Sequence, residues 1–223
     1  MTTRKQLNDL CRRRLGDQFA PYRFTDLQIN QWINDAIADY SLQFRREVTV
    51  EIACQVGTRA YSLQSIKGLS DILSVVYIQT SAPEVCLTRR SQYDRRGFVG
   101  LEVYDTKRDE TANLMLVIGI EPSTGDLVHL TVATEHDYLA SDEDLTTLPD
   151  SHLELITLFV RMAAMQAQYA QAAAQSDASS LLLSSLANNA DRAWNEYQQK
   201  KKEYLAAVAE GGTICVWQSK MGL

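Results

Sequence analysis

The sequence predicts an α+β protein with an N-terminal helical pair, a small antiparallel β-rich middle domain, a long C-terminal αα-hairpin and an extended C-terminal arm. Apolar residues recur at helical spacing over residues 1–46 and 149–210, and they alternate at strand spacing over residues 47–138. Residues 139–148 read as an acidic connector, and a Gly-Gly pair begins the arm at residues 211–223. This change of period along the chain, from helical to alternating and back, predicts the fold class.

The first region is predicted to hold two helices. The first is short, carries its apolar residues on one face and ends at Gly16. Thr25 and Gln28 have the spacing of a capping box, which predicts a second helix from Thr25 to about Phe44. Trp32 lies on the apolar face of that helix, and we expect it to pack in the core.

The middle region is predicted to be a set of short strands. Apolar residues at 48, 50 and 52 alternate with polar residues at 47, 49 and 51, as on a strand with one buried face. Six further β-prone segments follow, at residues 60–63, 72–79, 84–87, 101–104, 113–120 and 127–134. Strands at this spacing predict a compact antiparallel sheet or sandwich.

Two long helices folded back on each other are predicted for residues 149–210, packed against residues 1–46. Pro149 suits a first helical position, and Ser176-Asp177 supplies capping residues between the two helices. Trp194 and Tyr197 are three residues apart, so we expect both to pack within the hairpin.

The C-terminal arm contains a β-prone apolar run, Thr213 to Trp217, behind its two glycines. An apolar strand on a flexible link is typical of segments that pair with the sheet edge of another subunit. Ile214, Val216 and Trp217 are therefore predicted interface residues. The alternative is a tail that folds back on its own domain.

Composition indicates a soluble protein that does not grip nucleic acid. The 45% of hydrophobic residues suffice for a core, whereas a net charge of -6 disfavours a broad phosphate-binding surface. The basic runs at residues 12–14 and 200–202 are interpreted as solvated helix faces. No stretch has the length of a signal peptide or a membrane span, so we expect synthesis in a cytoplasm and no membrane partner.

No residue pattern predicts catalysis, a cofactor or a metal. The four cysteines are far apart without a CxxC pair, which favours reduced, mostly buried thiols. His129 and His152 are expected on the surfaces of a strand and a helix. Glu135-His136-Asp137 is the one clustered acid–base set, and neighbouring side chains at a strand end point in different directions. We therefore predict that the protein is not an enzyme.

Several short motifs mark helix starts and turns along the chain. They are LCRRRLGD at 10–17, FTD at 24–26, INDA at 33–36, VGTRAYSL at 56–63, IEP at 120–122 and LPD at 148–150. In their order and spacing they resemble the head-to-tail adaptor (connector) proteins of tailed bacteriophages, and this resemblance covers most of residues 3–210.

This resemblance implies a structural virion protein that forms a homo-oligomeric, dodecameric ring. The ring would lie in the neck of the virion, between the portal protein and a tail or nozzle protein, after assembly in the host cytoplasm. Double-stranded DNA would pass through its lumen without specific binding, and Ile214, Val216 and Trp217 would meet a neighbouring subunit or the portal. The alternative function is a soluble α+β binding module or assembly chaperone, also without enzymatic activity.

Overall fold

The computed structural model describes residues 2–80, 82–90, 99–175 and 179–211, with residues 209–211 described through their backbone alone. These residues form two compact units. The helical unit comprises the described residues up to 45 and from 136 onward, and the β unit comprises those from 46 to 135. The chain is α+β, as predicted.

Four α-helices make up the described part of the helical unit. They are α1 (Arg4–Leu15), α2 (Asp26–Ser41), α3 (Leu153–Ala173) and α4 (Ser180–Gly211), with a short 3-10 turn at Asp150–His152 leading into α3. Helix α3 contacts each of the other three, so it forms the centre of this unit. The predicted capping residues Ser176 and Asp177 lie outside the described residues.

The first two helices begin with capping boxes. Gln28 N–H donates to Thr25 Oγ1 (3.2 Å), and Thr25 N–H donates to Gln28 Oε1 (2.9 Å), which confirms the predicted start of α2. Helix α1 begins in the same way at Thr3 and ends at Gly16, whose φ of 67° is the left-handed conformation that glycine favours. Helix α2 ends at Ser41 and not near Phe44, and the turn that follows has the Gln43 and Phe44 amides sharing the Tyr40 carbonyl.

The core of the helical unit is mainly aliphatic and is built around α3 from side chains of α1, α2 and α4. Its fully buried side chains include Leu7, Cys11, Ile29, Ile33, Ile156 and Val160. Trp32 is half-buried at the margin of this core, with its ring edge-on to Phe24 at 5.2 Å between centroids.

The predicted burial of both aromatic residues on α4 is wrong for one of them. Tyr197 is 3% exposed, whereas Trp194 is 45% exposed. Three residues correspond to about 300° of helix, so the two side chains point about 60° apart. Helix α4 buries a narrow stripe that includes Tyr197 and excludes Trp194.

Seven strands form one sheet in the described part of the β unit. They are β1 (Arg46–Ala53), β2 (Ala60–Ser62), β3 (Leu69–Ile78), β4 (Val85–Arg89), β5 (Val103–Arg108), β6 (Leu114–Ile118) and β7 (Leu127–Thr134). Their order across the sheet is β1-β7-β3-β4-β5-β6-β2, with β1 at one end. The bounds of β7 match the sequence prediction, whereas β5 begins two residues later and runs on to Arg108.

The prediction of a purely antiparallel sheet is wrong at one strand pair. Strands β4 and β5 are parallel, with Thr88 opposite Val103 and Arg89 opposite Tyr104. The other neighbouring pairs among the described strands are antiparallel. Parallel neighbours need a connection of about a dozen residues, and residues 90–102 separate β4 from β5.

Candidate assembly surfaces

The interface residues predicted from the sequence are Ile214, Val216 and Trp217, and they lie outside the described residues. Their role stays a prediction. The described residues show other surfaces that could bind a partner, namely exposed apolar side chains held in place by buried polar groups.

A loop between α1 and α2 presents apolar side chains to solvent. Phe19 is 83% exposed, and Leu27, in the first turn of α2, is 80% exposed. Tyr22 is also exposed, and the Arg12 guanidinium lies over its ring at 4.2 Å from the centroid. Apolar side chains this exposed in a short stretch are candidates for contact with another protein.

The buried side of the same loop contacts Arg12 of α1, which is only 6% exposed. Its guanidinium donates to Asp17 Oδ2 (2.9 Å), the Phe24 carbonyl (3.1 Å) and Asp26 Oδ1 (2.7 Å). Asp17 is also buried and accepts from the Arg23 amide at 2.8 Å. The interpretation of residues 12–14 as a solvated run is therefore wrong for Arg12, which binds both ends of the loop.

A groove between α3 and α4 forms a second candidate surface. The groove is lined by the small side chains of Ala187 and Ala190 and by the aromatic rings of Tyr169 and Trp194. Tyr169 and Trp194 are both partly exposed. Aromatic side chains of this kind contribute much of the binding energy in protein interfaces.

Polar contacts fix α4 beside α2 and α3. Asp39 of α2 accepts a hydrogen bond from Tyr197 Oη and an ion-pair contact from Lys201 Nζ at 2.7 Å. Burial, and then the Asp39 carboxylate, raise the pKa of Tyr197, so its hydroxyl stays protonated as a donor. Arg161 of α3 binds Glu196 at 2.7 Å. Lys201 is thus a structural residue, contrary to the solvated run predicted for residues 200–202.

His152 is buried, although the sequence analysis places it on a helix surface. Its Nδ1 lies 2.5 Å from Tyr40 Oη, and the rings of Phe44 and Tyr204 pack edge-on against it. Burial lowers the pKa of His152, which favours the neutral imidazole that accepts from a tyrosine. A sequence signal for this exists, because His152 lies four residues before the core residue Ile156.

The other histidines also have structural roles. Both ring nitrogens of His136 are 3.0 Å from an oxygen, Nδ1 from Thr147 Oγ1 and Nε2 from the Phe44 carbonyl. His129 Nε2 lies 3.2 Å from Glu51 Oε1 on the face of the sheet, as predicted for a strand-surface residue. These contacts fix the orientation of both rings.

The described part of the chain holds three of the four cysteines, and their burial differs. Within the described residues, no three His, Cys, Asp or Glu side chains gather where they could hold a metal ion. Burial raises the pKa of the Cys11 thiol to about 12, so it is an unreactive core residue. Cys54 is half-buried, whereas Cys86 is exposed, contrary to the expectation of mostly buried thiols. Cys215 lies outside the described residues.

No helix in the described part of the chain is long and apolar enough to cross a membrane. A comparison with curated proteins finds no significant match. The model of the family described as SU10 adaptor protein matches residues 2–208, which span nearly the whole chain and both structural units. The chain therefore belongs to the SU10 adaptor protein family and is a structural adaptor protein of a bacteriophage, which confirms the family predicted from the order of its sequence motifs.

Proposed function

We propose that this protein assembles into a ring in the neck of the virion, between the portal protein and a tail or nozzle protein. The observation that carries this proposal is the family match over residues 2–208. An adaptor joins other proteins, so its working parts are binding surfaces. Double-stranded DNA passes through the lumen of the ring in this proposal.

Ring closure by identical subunits requires that each subunit present two different complementary surfaces. The chain offers apolar surfaces on different elements: the loop with Phe19 and Tyr22, and the α3–α4 groove with Tyr169 and Trp194. The sequence adds a third candidate, the arm that contains Ile214, Val216 and Trp217. Three candidate surfaces on separate parts of the chain support contacts with neighbouring copies and with two further proteins.

The net charge of -6 supports DNA passage without specific binding. Acidic surfaces repel phosphates, so a duplex can slide past them without being held. The hydrogen bonds of His136 and the burial of His152 support a function without catalysis, since both rings serve the packing of the helical unit.

Light scattering of the protein, alone and with purified portal, tests the proposal. We expect a complex whose mass corresponds to many copies of the chain, either spontaneously or on addition of portal. A matched mixture with an unrelated ring-forming protein controls for nonspecific association. A chain that stays monomeric and ignores portal would overturn the proposal.

Proteomics of purified virions provides a second test. A structural adaptor is expected in the finished particle in a fixed ratio to the portal protein. Absence from purified virions, together with binding to a structural protein during assembly, would instead support the assembly chaperone.

A further inference from the structure

We infer that the outer edge of strand β1 binds the C-terminal arm of a second copy of this chain by β-strand addition. The outer edge is defined as the backbone N–H and C=O groups of Glu47, Thr49, Glu51 and Ala53. The inference rests on the proposed function, because the contact exists only where copies of the chain assemble.

Strand β1 is the end strand of the sheet. Within the described residues it is hydrogen-bonded to β7 alone, in a register that runs without a bulge from Arg46 opposite Thr134 to Ala53 opposite Leu127. It is eight residues long and contains neither proline nor glycine. Long regular edge strands offer a row of backbone groups to another chain.

The alternation of hydrogen-bonded residue pairs between β1 and β7 shows which backbone groups of β1 face away from β7. The Cys54 amide donates to the Asp126 carbonyl at 2.9 Å, and these two residues are directly opposite when the register is continued by one position. Hydrogen-bonded pairs in an antiparallel ladder recur at every second residue. The even-numbered residues of β1 therefore bond to β7, and the amides of Glu47, Thr49 and Glu51 face away from it.

The contacts between β7 and β3 agree with this assignment of even-numbered and odd-numbered residues. Ser70 Oγ donates to the Ala133 carbonyl at 2.8 Å, and the Glu135 amide donates to the Gly68 carbonyl at 3.1 Å. Odd-numbered residues of β7 and of the turn after it thus face β3. Its even-numbered residues face β1.

The side chains along this edge suit an added strand. Val50 and Ile52 are only partly buried on the core face of β1, so a further strand would complete their burial. The opposite face carries cross-strand polar pairs, Thr49 with Thr131 and Glu51 with His129. The added strand should therefore be apolar on one side.

Residues 213–217 have this pattern. Ile214 and Val216 alternate with Cys215 and Trp217, so a strand in this segment would place the first two together on one face. That face can lie beside Val50 and Ile52 in the extended core. Main-chain hydrogen bonds would supply affinity, and the alternating side chains would fix the register.

Charge also favours this segment as the occupant. Lys220 is the one charged side chain among residues 212–223, and the charged side chains of β1 beyond Arg46 are Glu47 and Glu51. Each copy has one arm and one outer edge, so exchange between copies links subunits head to tail, as a ring requires. The occupant is therefore a second copy of the chain.

Disulfide trapping in the full-length protein tests the inference. Three variants, Glu47→Cys, Thr49→Cys and Glu51→Cys, each place a thiol where native Cys215 can face it. Directly paired residues in such a ladder have Cα atoms about 5.5 Å apart, within the range of a disulfide. We expect at least one variant to form covalent oligomers under mild oxidation, with the link to Cys215 identified by peptide mass spectrometry.

Two controls accompany the trapping experiment. Thr131→Cys places a thiol on the same face of β7, which at this position has Thr49 of β1 on one side and Ser74 of β3 on the other and so offers no free edge. Adding Cys215→Ser to each edge variant removes the proposed partner thiol. Both controls should give no covalent oligomers through the arm. Failure of all three edge variants to link, or links confined within single chains, would overturn the inference.

A backbone-directed pair of variants gives an independent readout. Thr49→Pro removes an outward-facing N–H while leaving the bonds to β7 intact, and prolines are tolerated at such edge positions. Thr49→Ala changes the side chain and keeps the N–H. We expect Thr49→Pro to need a protein concentration at least about tenfold higher for assembly than the wild type, which corresponds to about 1.4 kcal/mol. Thr49→Ala should assemble at the same concentration as the wild type. Equal assembly by both variants would overturn the inference.

The two proposals fail in different ways. Rings that form with portal but give no link between Cys215 and β1 refute the arm assignment and leave the proposed function standing. A chain that forms no ring with or without portal refutes the proposed function and this inference together. If Thr49→Pro does not fold, the trapping variants still decide the question.

Discussion

The Arg12 guanidinium occupies a buried site where it joins α1 to the loop and to the start of α2. Of the two carboxylates that Arg12 contacts, Asp17 is the more buried, with 3% of its surface exposed. Its negative charge depends on Arg12 as the charged partner. Asp26 is largely exposed, so that second ion pair is screened by solvent and adds little. The stability of the loop therefore depends mainly on the buried pair.

Replacing Arg12 by methionine should destabilise the protein by about 3–5 kcal/mol, since it leaves the Asp17 carboxylate buried without its countercharge. Urea denaturation measures this free energy of unfolding. Arg13→Met, on the exposed side of the same helix turn, is the matched control and should change it by less than about 0.5 kcal/mol. Similar effects of the two variants would show that the buried ion pair is not required.

His152 should make stability depend on pH just below neutrality. Burial lowers its folded-state pKa below the ordinary value of 6.5, so the unfolded chain binds a proton there before the folded chain does. The stabilisation is complete above pH 6.5 and is lost as the pH falls toward the folded-state pKa. We expect the urea midpoint to decrease between about pH 7 and about pH 5.5.

His152→Asn is the test variant, because an amide oxygen can accept from Tyr40 but does not titrate. The slope of stability against pH should be shallower in this variant than in the wild type, whatever its absolute stability. Equal slopes would show that His152 is not the titrating group.

At the scale of elements, the hydrogen bond from Tyr197 to Asp39 is one of the polar contacts that attach α4 to α2. Tyr197→Phe removes the hydroxyl that donates to the Asp39 carboxylate, and hydrogen bonds to charged groups contribute about 1.5–3 kcal/mol. We expect a loss of that size in the free energy of unfolding. Trp194→Phe, three residues away and exposed, is the control and should change it by less than about 0.5 kcal/mol. If Tyr197→Phe lowers the free energy of unfolding by no more than the control variant does, the other contacts of α4 are the ones that hold it in place.

The sheet shows which features of its strands can be predicted from the sequence. Alternation of apolar residues identifies the strands because a half-buried strand repeats every two residues, and the bounds of β7 were predicted correctly. The parallel pairing of β4 with β5 was not predicted, since no local pattern records which strands become neighbours. Pairing depends on the path of the connection, which is a tertiary property.

For the whole molecule, deletion of residues 213–223 separates folding from assembly. These residues follow the helix stop that the sequence predicts at Gly211-Gly212, so the thermal transition should stay within about 2 °C of the wild type. Ring formation, measured by light scattering with portal, should weaken because the arm is lost. Calorimetry is the control measurement for the fold. Loss of the thermal transition would place the arm in the core of its own chain.

The family and the fold class followed from the sequence by itself. Helical and strand periods, the capping box at Thr25 and the order of motifs are local properties, because each depends on residues a few positions apart. The net charge of -6 is likewise independent of the fold.

Only the tertiary structure decided which polar residues are buried and which apolar residues are exposed. Arg12, His152 and Lys201 looked like surface residues, and each has its partners on distant parts of the chain or across a loop. Trp194 looked like a core residue, and the narrow contact of α4 leaves it in solvent. The outer edge of β1, which has no strand partner within the described residues, likewise exists because of strand order. Burial and pairing depend on contacts between residues far apart in sequence, and these contacts form only when the chain folds.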